Sequence, residues 1–217
     1  MQRLFIVDLF VSGGPVMIPI VLCSVFALAI FIERIRFYKR NSGNAAAFMK
    51  KIKSSIVSEQ FIEAMQICRD EATPLSNVIA AGIDNLNLEK NDLLDVMRQE
   101  AMVQVKKYDK HLAKLSTIST ISPLLGLTGT VTGMIAAFKV ISTAGIGDPT
   151  ALAGGISEAL YTTAAGLLVG IPTLVIYNWC ESKSKDFIEQ VDMYSLELAN
   201  LAKNMEAYIE KASVWKT

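Results

Sequence analysis

Three long stretches of this 217-residue chain are almost free of charged residues. No charge occurs between Asp8 and Glu33 or between Lys114 and Lys139, and Glu158 is the only one between Asp148 and Glu181. An apolar helix of about 20 residues is long enough to cross a bilayer. Charged residues make up 19% of the chain, below the roughly 25% of an ordinary soluble domain. The charge distribution therefore predicts three transmembrane helices.

The predicted spans cover residues 10–32, 115–138 and 159–180. The first could instead be a cleaved signal peptide, because Ala27-Leu28-Ala29 resembles a cleavage site. Basic residues follow this apolar run, whereas in a signal peptide they precede it, so a retained span is favoured. The alternative for the second stretch is a buried helix of a soluble domain, which its length disfavours.

Lysine and arginine residues predict the orientation, because they accumulate on the cytoplasmic side. They are dense in residues 34–53 and 106–114 and recur at 183–185, whereas the loop at 139–157 holds only Lys139 and the amino-terminal flank only Arg3. We therefore expect the amino terminus and this loop to lie outside. The expected divisions are an outer amino terminus with the first span (1–35), a cytoplasmic domain (36–114), the second and third spans (115–180) and a cytoplasmic carboxyl-terminal helix (181–217).

The predicted cytoplasmic parts have helical periodicity throughout, so the expected fold class is an all-α membrane protein with a helical cytoplasmic domain. Ser58 is a candidate helix cap, and Pro74 suits the first position of a helix. The apolar pattern from Asn91 to Pro123 predicts one unbroken helix that continues the second span into the cytoplasm. The third span is expected to continue in the same way.

A heptad-like apolar seam marks the carboxyl-terminal helix. It alternates steps of three and four and consists of Phe187, Val191, Tyr194, Leu198, Leu201, Met205 and Tyr208. Such a seam fits either a coiled-coil dimer or a helix packed on its own chain. Packing on the chain's own seam at 93–115 is favoured.

Small residues and prolines interrupt the second and third spans. Glycines at three- and four-residue spacing let helices approach closely in lipid, and prolines inside a helix can kink it. The candidate packing and kink residues are Gly126, Gly129, Gly133, Gly166, Gly170, Pro123 and Pro172.

Hydroxyl groups and one carboxylate are the candidates for an ion pathway. Thr128 and Thr130 in the second span and Thr162 and Thr163 in the third could line a polar path, although such hydroxyls usually bond back to their own helix. A charge within a membrane is costly and points to function. Glu158 is therefore a candidate, unless it lies solvated at the outer interface.

Several functions are disfavoured by what the sequence lacks. Three cysteines and one histidine form no metal-ligand or nucleophile pattern, so we expect no metal, no cofactor and no enzymatic activity. A net charge of zero argues against nucleic-acid binding. No span contains an aspartate, so an ion path would need a titrating group from another chain.

Two motifs carry a resemblance to a known family. The segment Pro123-Leu-Leu-Gly-Leu-Thr-Gly-Thr-Val-Thr-Gly-Met134 resembles the second membrane segment of the MotA/TolQ/ExbB proton channel family. Gly155-Ile-Ser-Glu-Ala-Leu-Tyr-Thr-Thr-Ala-Ala-Gly-Leu167, continuing to Pro172, resembles the third, and Phe31-Ile-Glu-Arg34 resembles the end of the first. Three spans match ExbB or TolQ, since MotA has four.

The resemblance implies a homopentamer in the bacterial inner membrane, surrounded by lipid. The pentamer would enclose an ExbD- or TolR-like subunit whose single span carries an Asp. Proton flow past that Asp would energise outer-membrane transport or envelope integrity through a TonB- or TolA-like protein. By motif match, Thr130 and Thr163 would line the lumen and Glu158 would be the family glutamate. Sodium in place of protons, or a scaffold without ion flux, are the alternatives, and the choice among ExbB, TolQ and a specialised homologue stays open.

Overall fold

A computed structural model describes the backbone of residues 13–144 and 149–214, with side chains up to 142 and from 153 to 204. Within these ranges the chain forms helices and no strand, which confirms the all-α class. The helices are α1 (Met17–Arg40), α2 (Ala45–Val57), α3 (Phe61–Glu71), α4 (Pro74–Asp84), α5 (Lys90–Tyr108), α6 (Leu112–Ala144) and α7 (Pro149–Val214).

The chain divides into two compact units. The first, the membrane unit, combines the chain up to Arg34 with His111–Trp179, and the second, the helical domain, combines Ile35–Lys110 with the chain from Cys180 onward. Three helical segments are long and apolar enough to cross a membrane, which confirms the three predicted spans.

The first spanning helix begins later than predicted. A turn precedes Met17, in which the Met17 amide donates to the Gly14 carbonyl at 3.1 Å. Gly14 has a left-handed φ of 65°, a conformation that glycine adopts without steric cost. This turn delays the start of the helix, and residues 10–12 of the predicted span lie outside the described residues.

The expectation of one unbroken helix from Asn91 to Pro123 is wrong. Helix α5 ends at Tyr108, α6 starts at Leu112, and His111 between them has a φ of 70°. Tertiary hydrogen bonds within the helical domain support the break. The Tyr38 hydroxyl lies 3.1 Å from the Tyr108 carbonyl, and the Ser184 hydroxyl donates to the Asp109 carboxylate at 2.6 Å. A carbonyl at a helix end needs such a partner.

Local capping defines the short helices of the helical domain. Thr73 and Ser76 form a reciprocal capping box, and Pro74 is the first residue of α4, as predicted. The prediction that Ser58 caps the following helix is wrong, because Ser58 ends α2 and Gln60 precedes α3. Glu59 between them has a φ of 58°, so the chain turns before α3 can start.

The carboxyl-terminal part of α7 packs on its own chain, as expected. Phe187 stacks on Tyr108 of α5 with ring centroids 4.2 Å apart. Leu198 and Met97 both lie against Gly82 of α4. Val191 and Tyr194 are also buried, whereas the predicted seam residues 205 and 208 have side chains outside the described set.

Candidate functional site in the membrane unit

The contact between α6 and α7 consists of small residues. The two helices run antiparallel, since residues early in α6 contact residues late in α7. Gly170 faces Pro123, Gly126 faces Thr163, and Gly133 faces Ala159. The buried residues of this contact are Ser119, Ser122, Gly126, Gly129, Gly133 and Ala137 on α6, and Ala159, Thr162, Gly166, Gly170 and Thr173 on α7.

Backbone meets backbone at the centre of this contact. A Cβ atom placed on Gly166 would lie 2.5 Å from the Ser122 carbonyl oxygen and 3.1 Å from the Gly126 Cα. Neither neighbour is a flexible side-chain end that could move away. Close approach of this kind supplies the dispersion contacts that hold helices together in lipid, where there is no hydrophobic drive between them.

Pro123 lies within the same contact. Its ring packs on Gly170, and a Cβ there would be 2.6 Å from the ring. Proline lacks an N–H and therefore leaves the carbonyl four residues earlier, that of Ser119, without its helical partner. The Ser119 oxygen faces the backbone of Gly170. Pro172, by contrast, is exposed on α7.

Helix α1 covers one side of the α6–α7 pair. Met17 and Ile20 form a buried cluster with Ala165. Partly buried apolar side chains from both partner helices join this cluster, among them Leu125 and Val169. Because Leu125, Ala165 and Val169 all flank the glycine contact on the same side, this is the side on which α1 lies.

Thr130 and Thr163 flank the contact on the other side. Successive residues of an α-helix are rotated by about 100° around its axis. This rotation places Thr130 beside Gly129, on the side of α6 away from Leu125. Thr163 follows Thr162 around α7 in the direction away from Ala165. Both are half-buried. Gly126 meets Thr163 and Gly129 meets Thr162, and Thr130 is one residue beyond Gly129. The two threonines therefore lie within one helical turn of each other along the pair.

The hydroxyl of Thr163 bonds across to the neighbouring helix. It donates to the Gly126 carbonyl at 3.0 Å, whereas the Thr130 hydroxyl donates to Leu127 within its own helix at 2.7 Å. A hydroxyl has one donor and two acceptor lone pairs. Both oxygens therefore keep acceptor capacity for a further proton donor.

The other two candidate threonines occupy different surroundings. Thr162 is 1% exposed, lies against Gly129 and donates to the Ala159 carbonyl at 2.8 Å. Thr128 is exposed on the face of α6 that points away from α7 and donates to the Leu124 carbonyl at 2.9 Å. The four threonines thus do not share one surface.

Glu158 lies on the α1 side of the helix pair. Its half-buried carboxylate sits directly against Gly14, and a Cβ on Gly14 would overlap Glu158 Oε1. Two features therefore favour glycine at position 14, the close contact with Glu158 and the left-handed φ of 65°. Within one subunit Glu158 is separated from Thr130 and Thr163 by the thickness of the helix pair.

Sequence reasoning did not anticipate two of these features. The crossing bond of Thr163 depends on helix register, which local pattern does not report. The contact of Gly14 with Glu158 joins positions 144 residues apart in the chain, and its local signal was the turn-forming sequence Gly13-Gly14-Pro15.

The part of the chain that the structure describes contains no cluster of metal-ligating side chains. No three His, Cys, Asp or Glu side chains there are grouped to hold a metal ion. None of the three cysteines forms a disulfide. Burial raises the pKa of the Cys68 thiol in the helical domain to about 12, with the Asp84 charge adding to the shift, so this thiol is far from its reactive thiolate form.

Fold and site together define a three-span α-helical membrane protein with a close-packed, threonine-flanked helix pair. Residues 70–193 match the MotA/TolQ/ExbB proton channel family, and the chain belongs to this family. The assignment agrees with the resemblance found in the sequence and with the prediction that the chain is not an enzyme.

Named relatives extend over most of the chain. It is 29% identical to the biopolymer transport protein ExbB of Neisseria meningitidis over 208 residues, covering 87% of this chain and 93% of the relative. It is 31% identical to the putative biopolymer transport protein ExbB-like 1 of Synechocystis, covering 80% and 69%. It is 27% identical to the Tol-Pal system protein TolQ of Haemophilus influenzae, covering 79% and 82%.

Proposed function

We propose that this chain is the proton-channel subunit of an inner-membrane motor that energises outer-membrane transport or envelope integrity. Its family supports the proton channel. Relatives named for biopolymer transport and for the Tol-Pal system support the coupled process. In this proposal a TonB- or TolA-like protein carries the energy outward.

The proposed complex is a pentamer of this chain around an ExbD- or TolR-like subunit. No Asp occurs in the described spanning parts of α1, α6 and α7, so the partner's single span would supply the titrating carboxyl group. The observation that carries the proposal is the common position of Thr130 and Thr163 on the side of the helix pair opposite α1. That side is the one we assign to the lumen.

The threonine hydroxyls suit a carboxyl group that changes its protonation state. With their protons held by backbone carbonyls, both oxygens can accept a hydrogen bond from a protonated carboxylic acid. Toward the ionised carboxylate they must rotate and donate instead. Such an alternation lets one ring of hydroxyls solvate both forms without a fixed charge that would trap either.

The energy available per proton is modest but sufficient for a step between equivalent positions. One charge crossing 100 mV releases about 2.3 kcal/mol. In a symmetric ring, successive positions have the same energy, so this release is needed only to bias the direction.

The test is proton uptake by liposomes that contain this chain and its single-span partner. We expect Thr130→Val with Thr163→Val to lower uptake more than ten-fold while the assembled complex is retained on size exclusion. Thr130→Ser with Thr163→Ser should keep uptake near the native level. Thr128→Val is the matched control, because this residue faces away from α7 and its loss should leave uptake unchanged. Full uptake in the double valine variant would remove both residues from the path.

The same liposomes separate the alternatives. Uptake that follows a sodium gradient at constant pH would identify a sodium-driven motor. The absence of any ion flux with the native complex would identify a scaffold. We further propose that the amino terminus and the segment at 139–157, which contains the end of α6 and the start of α7 rather than the predicted loop, lie in the periplasm and the carboxyl terminus in the cytoplasm. Labelling of single cysteines in that segment and in the tail by an impermeant reagent tests this orientation.

A further inference from the structure

Four aromatic side chains meet in the helical domain where three helices come together. Tyr108 at the end of α5 stacks on Phe187 of α7, and its ring centroid lies 5.3 Å from Phe37 and 5.7 Å from Tyr38 of α1. The Tyr38 hydroxyl lies within hydrogen-bond distance of the Tyr108 and Cys180 carbonyl oxygens. These contacts hold three segments side by side at one height along the helices, which we call this level: residues 36–40, 106–110 and 180–187.

This level is rich in basic residues. The three segments contain eight basic and three acidic residues. Five of the basic residues are exposed or nearly so and make no ion pair with a carboxylate in the described part of the chain. We call these five the basic belt: Arg36, Lys39, Arg40, Lys106 and Lys110.

Two basic residues elsewhere in the same domain are neutralised by neighbouring carboxylates, whereas Lys50, Lys51 and Arg69 are exposed and make no ion pair in the described part of the chain. Lys53 pairs with Glu197, and Arg98 pairs with Asp95 at 3.0 Å. At the level of the belt, the acidic groups are already engaged, since Asp186 pairs with Lys183 and Asp109 accepts from Ser184. The belt therefore presents positive charge that no carboxylate in the described part of the chain balances.

Two features of the sequence around this level are typical of a membrane surface. Arg36, Lys39 and Arg40 lie in the last turns of α1, directly after its apolar span. Tyr177 and Trp179 lie within the three residues before Cys180 in α7, and Trp179 is 40% exposed. Tyrosine and tryptophan side chains gather at headgroup depth. A cluster of four to eight basic residues just beyond a transmembrane helix is the pattern that binds anionic lipid.

We propose that the basic belt binds the phosphate headgroups of anionic phospholipids such as phosphatidylglycerol or cardiolipin. Arg36 and Arg40 offer planar guanidinium groups that pair with phosphate oxygens in a bidentate way. The lysines add positive charge, and the bound headgroups supply the anions that the protein lacks at this level. The lipid would thereby hold the helix junction around Tyr108 at the membrane surface. This inference depends only on membrane insertion and is independent of ion conduction.

The experiment measures lipid selectivity of the full chain in mixed phosphatidylcholine and phosphatidylglycerol bilayers. Spin-labelled lipids of each type report the fraction immobilised by the protein. We expect native protein to favour phosphatidylglycerol, and each neutralised belt residue to lower this preference by up to about five-fold, the factor equal to about 1 kcal/mol per basic residue near an anionic surface. Raising the salt concentration should weaken the preference, because exposed charges are screened.

Two triple variants with equal charge change separate the belt from net charge. Arg36→Gln with Lys39→Gln and Arg40→Gln should abolish the preference. Lys50→Gln with Lys51→Gln and Arg69→Gln removes three exposed basic residues of α2 and α3 and should leave it intact. Equal loss in both variants, or no preference in the native protein, would overturn the proposal. Competition by inorganic phosphate at submillimolar concentration would overturn it too, since it would identify a site for a free anion.

Discussion

Two buried glycines, one in each unit, show how differently the units are packed. In the membrane unit, a Cβ on Gly166 would meet the Ser122 carbonyl oxygen at 2.5 Å. In the helical domain, a Cβ on Gly82 would meet Leu198 Cδ2 at 2.7 Å and Met97 Sδ at 2.8 Å. The first glycine faces rigid backbone, whereas the second faces the ends of flexible side chains.

The difference follows from the surroundings of each unit. In water, burying large apolar side chains is favourable, and the helical domain is built around such residues, including Ile52, Ile79 and Leu93. In lipid, large apolar side chains gain nothing by leaving the solvent, and helices associate through close backbone contact. The membrane unit therefore depends on small residues at its helix contact, whereas the helical domain depends on large apolar side chains in its core.

The largest effect is expected where a methyl group is forced against backbone. Gly166→Ala should destabilise the membrane unit by about 3 kcal/mol, the upper part of the range for overpacking, because the Ser122 carbonyl cannot move without shifting α6. Unfolding by SDS titration in mixed micelles measures it. Gly154→Ala is the control, since a Cβ there meets nothing within 4 Å. Equal midpoints for the two variants would contradict backbone contact at Gly166.

A smaller effect is expected from removing one methyl group in the helical domain. Ile79 is fully buried, and Ile79→Val should cost about 1 kcal/mol through lost burial and a small cavity. Hydrogen exchange of α4 peptides measures the change in opening free energy. Val57, which is 64% exposed, provides the control Val57→Ala. Unchanged protection in Ile79→Val would show that this core does not depend on side-chain volume.

The smallest effect is expected at the second glycine. Gly82→Ala should change the stability of the helical domain by no more than about 0.5 kcal/mol. Alanine gains about 1 kcal/mol of helix propensity over glycine, and this offsets the cost of displacing the ends of Leu198 and Met97. The same exchange measurement applies. A loss as large as that expected for Gly166→Ala would remove the distinction between the two units.

Much of the fold could be predicted from the sequence because it depends on residues that are close together in the chain. The charge-free stretches predicted the three spans, and Pro74 predicted the start of α4, since the preference of proline for the first helical position is a local effect. The helix break at Asp109–His111 escaped prediction. Neither glycine nor proline marks it, and Tyr38 and Ser184 are 70 and 75 residues away in the chain from the residues that they contact there.

The candidate site divides in the same way. The residue types on α6 and α7, with glycines at helical spacing and threonines beside them, are a property of the sequence, and so is the family to which it belongs. Tertiary structure alone decided which side of the helix pair each side chain occupies. Thr162 is buried in the contact, Thr130 and Thr163 lie opposite α1, and Glu158 lies beside Gly14. The physical reason is that helical periodicity distributes residues around an axis, but only packing against α1 determines which direction is covered.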